Sequence, residues 1–492
     1  MSSVKPITMM KMKTLTAMAF AASLCGLAAA ADPAPATNWL SAPVVAAHEG
    51  YTSTFFELPL PEGSASPIAT ISATMYTKPS ATGKPPRPLL ILFNGGPGAS
   101  STPLHLNGLG PKRYVERVGR TPEKQLEPNP FTVLDTMDLV FVDPVGTGFS
   151  QVLEAAKSRY WATEADARAA ATLIRHIVKA TQREGASVYV GGQSYGGYRL
   201  ATLMKFTAEL PPLSGIVFIS PMLDATLVAD VPGNELVHGA ELPSMAVAAW
   251  QHGKGDRAVQ GETVQQVFDR ATVFARDEYV PALLEGSKLG VERQKAVAAR
   301  LSALLGLSVD EILRQRLRPG SEDFLTHVLG QDGKRLGRLD TRVVGSSAPP
   351  PAGKPTNDPS LVVTAPVANQ LTPTEAYFRN ELNVPITRKY VPLSFTVNGG
   401  WNFFDAPTQE AFYLNATRHV ATAMAANPQL RVLYVGGYYD MATPVGAATY
   451  ALEHAGLPME RVRMQVLPGA HSPYDDDANL ARFTAVLRDF VR

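Results

Sequence analysis

Ser187-Val188-Tyr189-Val190-Gly191-Gly192-Gln193-Ser194-Tyr195-Gly196-Gly197-Tyr198-Arg199 is the stretch on which the fold turns. Its first residues read as a strand and its last as the start of a helix, so Gly192-Gln193-Ser194-Tyr195-Gly196 falls where a strand turns sharply into a helix. That is a G-x-S-x-G motif in the context its chemistry requires. Such a turn pushes the serine into an uncommon backbone region and crowds its flanks, which explains glycine two positions to either side. Ser194 then stands clear of the sheet with its hydroxyl exposed. A serine hydroxyl is a weak nucleophile, so the chain must supply a histidine to take its proton and an acid to hold that histidine. A flexible serine–glycine loop is the bland alternative for five such residues taken alone.

Outward from the motif, strands and helices alternate. Leu89 to Phe93 is a solid apolar run of the kind buried in a parallel sheet, and it ends in Asn94-Gly95-Gly96-Pro97-Gly98-Ala99-Ser100-Ser101. Glycines at that position leave backbone N–H groups uncovered, as an oxyanion site needs. A phosphate-cradling loop would end in Gly-Lys-Ser/Thr, and this one does not. Asp138 to Asp143 is a second buried strand, closing on Pro144-Val145-Gly146-Thr147-Gly148-Phe149-Ser150. Residues 163–179 carry Leu173, Ile174, Ile177 and Val178 at helical spacing, with Asp166 near the start and Lys179 near the end. Further strands are expected at 216–220, 430–436 and 463–467, and an amphipathic helix at 479–492. Residues 51–77 read as antiparallel strands. Alternating strand and helix predicts a mostly parallel sheet with helices on both faces.

Between 224 and 427 the alternation is lost. Helices are expected around 242–250, 261–276, 291–305 and 309–317, followed by a Pro-rich loop at 346–359. The division predicted is a leader over 1–31, a core over 32–224, a largely helical cap over 225–427, and the rest of the core over 428–492. Asn398-Gly399-Gly400-Trp401-Asn402-Phe403-Phe404 lies in the third part, and its aromatics are expected to pack in the core, with lining of the pocket as the alternative.

Residues 1–31 carry Lys5, Lys11 and Lys13 ahead of an apolar run from Leu15 to Ala30 that ends in small side chains, the pattern of a secretion signal. The run is too short and small-sided for a membrane span. Cys25, the one cysteine of the 492 residues, falls inside it. A periplasmic or secreted protein with no disulfide is the expectation. Lys plus Arg number 45 against 44 for Asp plus Glu, so charge gives no case for a nucleic-acid or anionic-membrane partner. Oligomeric state is not legible.

The partners required by Ser194 come late in the chain. Asp440 follows the strand 430–436, and His471 follows the strand 463–467 in a glycine-containing turn. Ser194, Asp440, His471 is the chain order of the α/β-hydrolase fold. Of nine histidines, His105 reads as loop, His176 as helix, and His252 and His327 fall in the cap region. Among the acids, Asp143 comes too early for this order and is expected to bond backbone or pack beside the site, while Asp475 to Asp477 read as a solvated loop.

The Asn94–Ser101 loop, the Asp143–Ser150 turn, Gln193-Ser194-Tyr195-Gly196-Gly197, the Asp440 strand end and the His471 turn together resemble the serine carboxypeptidase family, bacterial type. The resemblance implies Ser194 as nucleophile, His471 as general base and acid, and Asp440 as its orienting carboxylate. It also implies an oxyanion hole from the N–H groups of Gly96 and Tyr195, and substrate contacts at Asn94, Gly95 and Gln193. The implied reaction frees the C-terminal residue of a peptide through an acyl-enzyme, with no metal or cofactor. Three departures stand out. Gln193 replaces the family's Glu before the nucleophile, Gly108 with Asn107 beside it occupies the place of a second Glu, and Ala99 replaces a cysteine. A buried carboxylic acid donates only while neutral, whereas an amide donates at any pH. Asn94 and Gln193 are therefore expected to grip a carboxylate without an acid-pH preference. An esterase, an aminopeptidase-like hydrolase, an acyltransferase and a non-catalytic binding protein remain the alternatives.

Overall fold

The computed structural model describes residues 39–79, 85–117, 123–256, 260–330, 333–350, 356–361, 371–405 and 413–492. The leader read over residues 1–31, with Cys25, lies outside the described residues.

Nine strands form one sheet: β1 (Val44–His48), β2 (Tyr51–Leu60), β3 (Ala69–Thr77), β4 (Leu89–Phe93), β5 (Asp138–Asp143), β6 (Val188–Ser194), β7 (Leu213–Pro221), β8 (Arg431–Gly437) and β9 (Val462–Leu467). Their spatial order is β1-β2-β3-β5-β4-β6-β7-β8-β9. The first three run antiparallel, and β3 joins β5 antiparallel. From β5 onward every pairing is parallel. Phe93 pairs with Val142 on one side and Gly192 on the other, so β4, β5 and β6 end level. Their following loops, and with them the Gly-rich turn and the elbow, share one edge of the sheet. This is an α/β-hydrolase architecture.

The apolar runs of the central strands reflect burial on both faces, and side chains alternate between them. Leu89, Ile91, Phe93, Val190, Ile216, Phe218, Val432 and Tyr434 point into one apolar cluster with Leu173, Ile174 and Ile177 of helix α1 (Thr163–Ala180). Leu90, Leu92, Val217, Ile219, Leu433 and Val435 point into the opposite cluster, with Leu480, Phe483, Leu487 and Phe490 of the C-terminal helix, Asp477–Val491. Helix α1 starts without a cap of its own at Ala162. Asp405 Oδ2 takes that role from far along the chain, accepting the N–H groups of Glu164 and Ala165 at 2.8 and 3.2 Å. A carboxylate there also opposes the positive end of the helix dipole.

Between β7 and β8 the described residues add no strand to the main sheet. They form helices α2 (Glu235–Gln251), α3 (Val264–Phe274), α4 (Val291–Leu305) and α5 (Val309–Arg314) around an apolar cluster that also takes in Tyr438, Tyr439, Met441 and Ala470. Helix α2 begins well before the expected 242, with Pro243 in its interior. The proline sits mid-helix, where tertiary packing overrides its local cost.

Other residues of the 225–427 region pack against the main sheet. Tyr377, Phe378, Leu382, Val384, Ile386 and Tyr390 join the core cluster beneath the sheet. Val397 and Trp401 pack with the cluster containing Tyr195, the Trp401 and Tyr195 rings meeting edge-on at 5.2 Å. Tyr377, Phe378 and Val397 lie in helical pieces (Pro373–Ala376 running into Tyr377–Glu381, and Phe395–Gly399) too short to show a period, and the others lie outside regular elements. His105, expected in a loop, lies in a wide helical turn (Pro103–Leu109) and is fully buried, stacked on Phe141 at 4.4 Å and bonded to Tyr76 Oη at 2.7 Å.

Candidate active site

Ser194 ends β6 and precedes the helix Tyr195–Leu203 with φ 60° and ψ −128°. A non-glycine residue there carries strain of about 1–3 kcal/mol, which persists only where the surroundings over-determine it. The surroundings do so here. A Cβ on Gly192 would lie 2.3 Å from the Gly196 carbonyl oxygen, and one on Gly196 would lie 2.9 Å from the Phe93 carbonyl oxygen. Glycine at both flanks lets the strand-turn-helix close against β4.

Asp440 and His471 stand on the turns after β8 and β9, adjacent strands in the sheet. Tyr438 N–H donates to Leu467 O at 3.1 Å and Tyr439 N–H to Gly469 O at 3.0 Å, lacing the two turns together. His471 Nδ1 and Asp440 Oδ2 are 2.9 Å apart. Asp440 is fully buried, and its side chain is completely occupied. Oδ1 accepts the N–H groups of Ala442 and Thr443 at 2.7 and 3.1 Å, and Oδ2 also lies 2.7 Å from Thr443 Oγ1. With Oδ1 spent on backbone donors, Oδ2 is left to face the imidazole. This fixes Nδ1 as the protonated nitrogen and leaves Nε2 as the acceptor.

A segment between β7 and β8 straps both turns from outside. His471 N–H donates to Leu339 O at 2.9 Å, Met441 N–H to Arg338 O at 3.0 Å, and Thr341 N–H to Tyr439 O at 3.1 Å. Arg338 Nη2 adds a bond to Ala442 O at 3.4 Å and Thr341 Oγ1 one to Tyr439 O at 3.2 Å, but the backbone bonds of the strap leave no signal in the local sequence.

The Gly-rich loop after β4 meets the elbow directly. A Cβ on Gly95 would lie 2.5 Å from Tyr195 N and 2.8 Å from Ser194 Cβ, so only glycine permits this approach. Among the described residues, neither the Gly96 N–H nor the Tyr195 N–H meets an acceptor. Two unspent amides beside a serine hydroxyl suit an oxyanion. The Asn94 carbonyl beneath this loop accepts from Arg199 Nη1 at 2.6 Å, and Arg199 Nε donates to the buried Asp166 at 2.6 Å.

Asn94 and Gln193 are brought together, but not as two free donors. Asn94 Nδ2 donates to Gln193 Oε1 at 2.7 Å, and Tyr474 Oη donates to the same oxygen at 2.5 Å. Gln193 Nε2 donates to His471 O at 2.9 Å and to Ser472 Oγ at 3.1 Å. Both N–H groups and both lone pairs of Gln193 are thus spent within the protein, which differs from a direct grip on substrate. Tyr474 was not legible as a site residue. Its ring lies over Gly108, where a Cβ would approach it to 3.2 Å, and burial pushes its phenol up, keeping it a donor.

Ser194 Oγ makes no hydrogen bond to His471 among the described residues. The turn carrying the imidazole is linked to the elbow through the Gln193 bond to the His471 carbonyl, and hydrogen bonds between nucleophile and base often tighten only with substrate present. Asp143 is no rival as orienting acid. Its Oδ1 accepts Ser101 N–H and Oγ, each at 2.8 Å, and Tyr390 Oη at 3.1 Å, and burial raises its carboxyl to about 6. Asp475 to Asp477 are exposed, and Asp476 caps the last helix.

The family model described as serine carboxypeptidase matches residues 73–209, which hold the Gly-rich loop, the Asp143 turn and the elbow; Asp440 and His471 lie beyond the match. Serine carboxypeptidase-like 36 of Arabidopsis thaliana is 31% identical over 153 residues, 29% of this chain and 30% of that protein. Pheromone-processing carboxypeptidase KEX1 of Ogataea parapolymorpha is 25% identical over 217 residues, 39% of this chain and 33% of that one. The matched stretch thus spans about a third of these relatives' length. The crystal structure of a prohormone-processing carboxypeptidase from Saccharomyces cerevisiae superposes with a TM-score of 0.56 at 12% identity, covering 89% of this chain and 91% of the other. At that identity the likeness is one of fold.

Proposed function

We propose that this member of the serine carboxypeptidase family releases C-terminal residues from peptides through an acyl-enzyme formed on Ser194. The observation that carries the proposal is the saturated Asp440 carboxylate directing one oxygen at His471 Nδ1, 2.9 Å away, on turns bound to the elbow. In this reading His471 Nε2 takes the Ser194 proton as Oγ attacks the scissile carbonyl. The Gly96 and Tyr195 amides hold the resulting oxyanion, and the imidazolium returns the proton to the leaving amine. Water then repeats the sequence on the ester and frees Ser194.

One N–H of Asn94 Nδ2 is spent on Gln193, and the other is our candidate for the substrate's terminal carboxylate, with Gly95 keeping that approach open. Helices α2 to α5, which share one apolar cluster with Tyr438, Tyr439, Met441 and Ala470, are our candidate for a cap. Residues 1–31 are proposed as a secretion signal, placing the protein outside the cytoplasm. No helix among the described residues is long and apolar enough to cross a membrane.

The test is a peptide offered with a free C-terminus and as its C-terminal amide. Release of the last amino acid from the first and little from the second supports the proposal; equal cleavage of both refutes it. The occupied state of Gln193 favours one second reading, an esterase whose substrates carry no terminal carboxylate. Turnover of a simple ester with no release from either peptide would establish that reading instead.

A further inference from the structure

Gln193 sits next to the nucleophile, is 2% exposed, and has no hydrogen-bonding capacity to spare. The orientation of its amide follows from its partners. Leu104 N–H can only donate, so Asn94 Oδ1, 3.2 Å away, is the acceptor and Asn94 Nδ2 turns to Gln193. His471 O can only accept, so the group facing it at 2.9 Å is Gln193 Nε2. The remaining oxygen of Gln193 takes Asn94 and Tyr474, and its remaining N–H takes Ser472 Oγ.

His471 is therefore gripped by its backbone on both sides: its N–H by Leu339 O and its C=O by Gln193. A substrate carboxylate could reach Gln193 Nε2 only by displacing His471 O or Ser472 Oγ, and a buried acceptor left unpaired is costly. We propose that Gln193 is a positioning residue: its carboxamide ties the elbow to the turn carrying His471 and holds the imidazole in register with Ser194, without touching substrate. This rests on the reading of Ser194 and His471 as nucleophile and base.

The tie is specific to an amide. A glutamate there presents an acceptor to the His471 carbonyl oxygen once it ionises, and a donor only while protonated. A displaced base costs rate, about 10²-fold for a misplacement near 1 Å.

The test uses the wild type, Gln193→Glu and Gln193→Met on an ester with no free carboxylate and on a free-acid peptide, across pH. Expected for Gln193→Glu on the ester is a kcat within about threefold of wild type near pH 5 and about 10²-fold lower near pH 8, with KM little changed. Gln193→Met should lower ester kcat at every pH. If that variant does not fold, Gln193→Glu carries the test alone, because recovery at acid pH reports a folded chain. A substrate-gripping Gln193 predicts the opposite split, with ester kinetics intact in both variants and only the peptide KM raised, and that result overturns the proposal. So does a folded Gln193→Glu, by its melting curve, whose ester kcat is equally low at both pH values. A wild type that turns over the ester but not the peptide refutes carboxypeptidase action and leaves the role of Gln193 to be decided by the same ester data.

Discussion

His471 Nδ1 donates to Asp440 Oδ2 at 2.9 Å across 31 residues of chain, and the carboxylate has no other conformation open to it, since both backbone N–H groups of Ala442 and Thr443 hold its second oxygen. An asparagine at 440 would turn an N–H toward the ring or the turn and favour the wrong tautomer. Asp440→Asn should fold and lose about 10⁴-fold in kcat on an ester. A loss below tenfold would mean that Asp440 does not orient the base.

Gly95 faces the elbow so closely that a methyl group has nowhere to go: its Cβ would meet Tyr195 N at 2.5 Å and Gln193 O at 2.7 Å. Backbone, not a flexible side-chain end, is what must yield. Gly95→Ala is expected to part the two halves of the oxyanion hole and reduce kcat by about 10²-fold or more, measured against KM on the same ester. Unchanged kcat would remove Gly96 and Tyr195 from the site.

Behind this loop, Arg199 is fully buried and joins Asp166 to the Asn94 carbonyl. Burial raises the Asp166 carboxyl, and the Arg199 guanidinium works against that rise. Arg199→Met leaves the acid buried without its partner. Such a deletion costs about 3–5 kcal/mol, to be read from urea unfolding, and Arg199→Lys should recover part of it.

Glu241 on α2 is 3% exposed, with Oε2 unbonded among the described residues, and burial raises its carboxyl to about 7 from an ordinary 4.5. The folded chain then keeps a proton that the unfolded chain releases. Stability falls as pH rises through 4.5 to 7, by about 3 kcal/mol for this group. Glu241→Gln should flatten the unfolding free energy over that window while leaving it little changed near pH 4. An identical pH slope in both proteins would show that Glu241 ionises normally.

Much of the sheet was legible because its signals are local. Leu89–Phe93 and Asp138–Asp143 are apolar runs whose ends match the strands, and the strained elbow announces itself by Gly192 and Gly196. What stayed hidden depends on partners far along the chain. Pro243 inside α2, and Tyr377, Phe378 and Tyr390 folded back into the core, obey tertiary packing without a periodic pattern. At the site, Gln193 gave its identity but not its partners. Tyr474 acts through one phenol and the 338–341 strap largely through backbone bonds, which leave no mark in residue type.

The most direct test is to react the protein with a serine-directed fluorophosphonate and locate the adduct by mass spectrometry. A single adduct on Ser194, lost in His471→Ala and in Ser194→Ala, is the predicted result. A folded wild-type chain that takes no adduct, or takes it on another serine, would contradict the account.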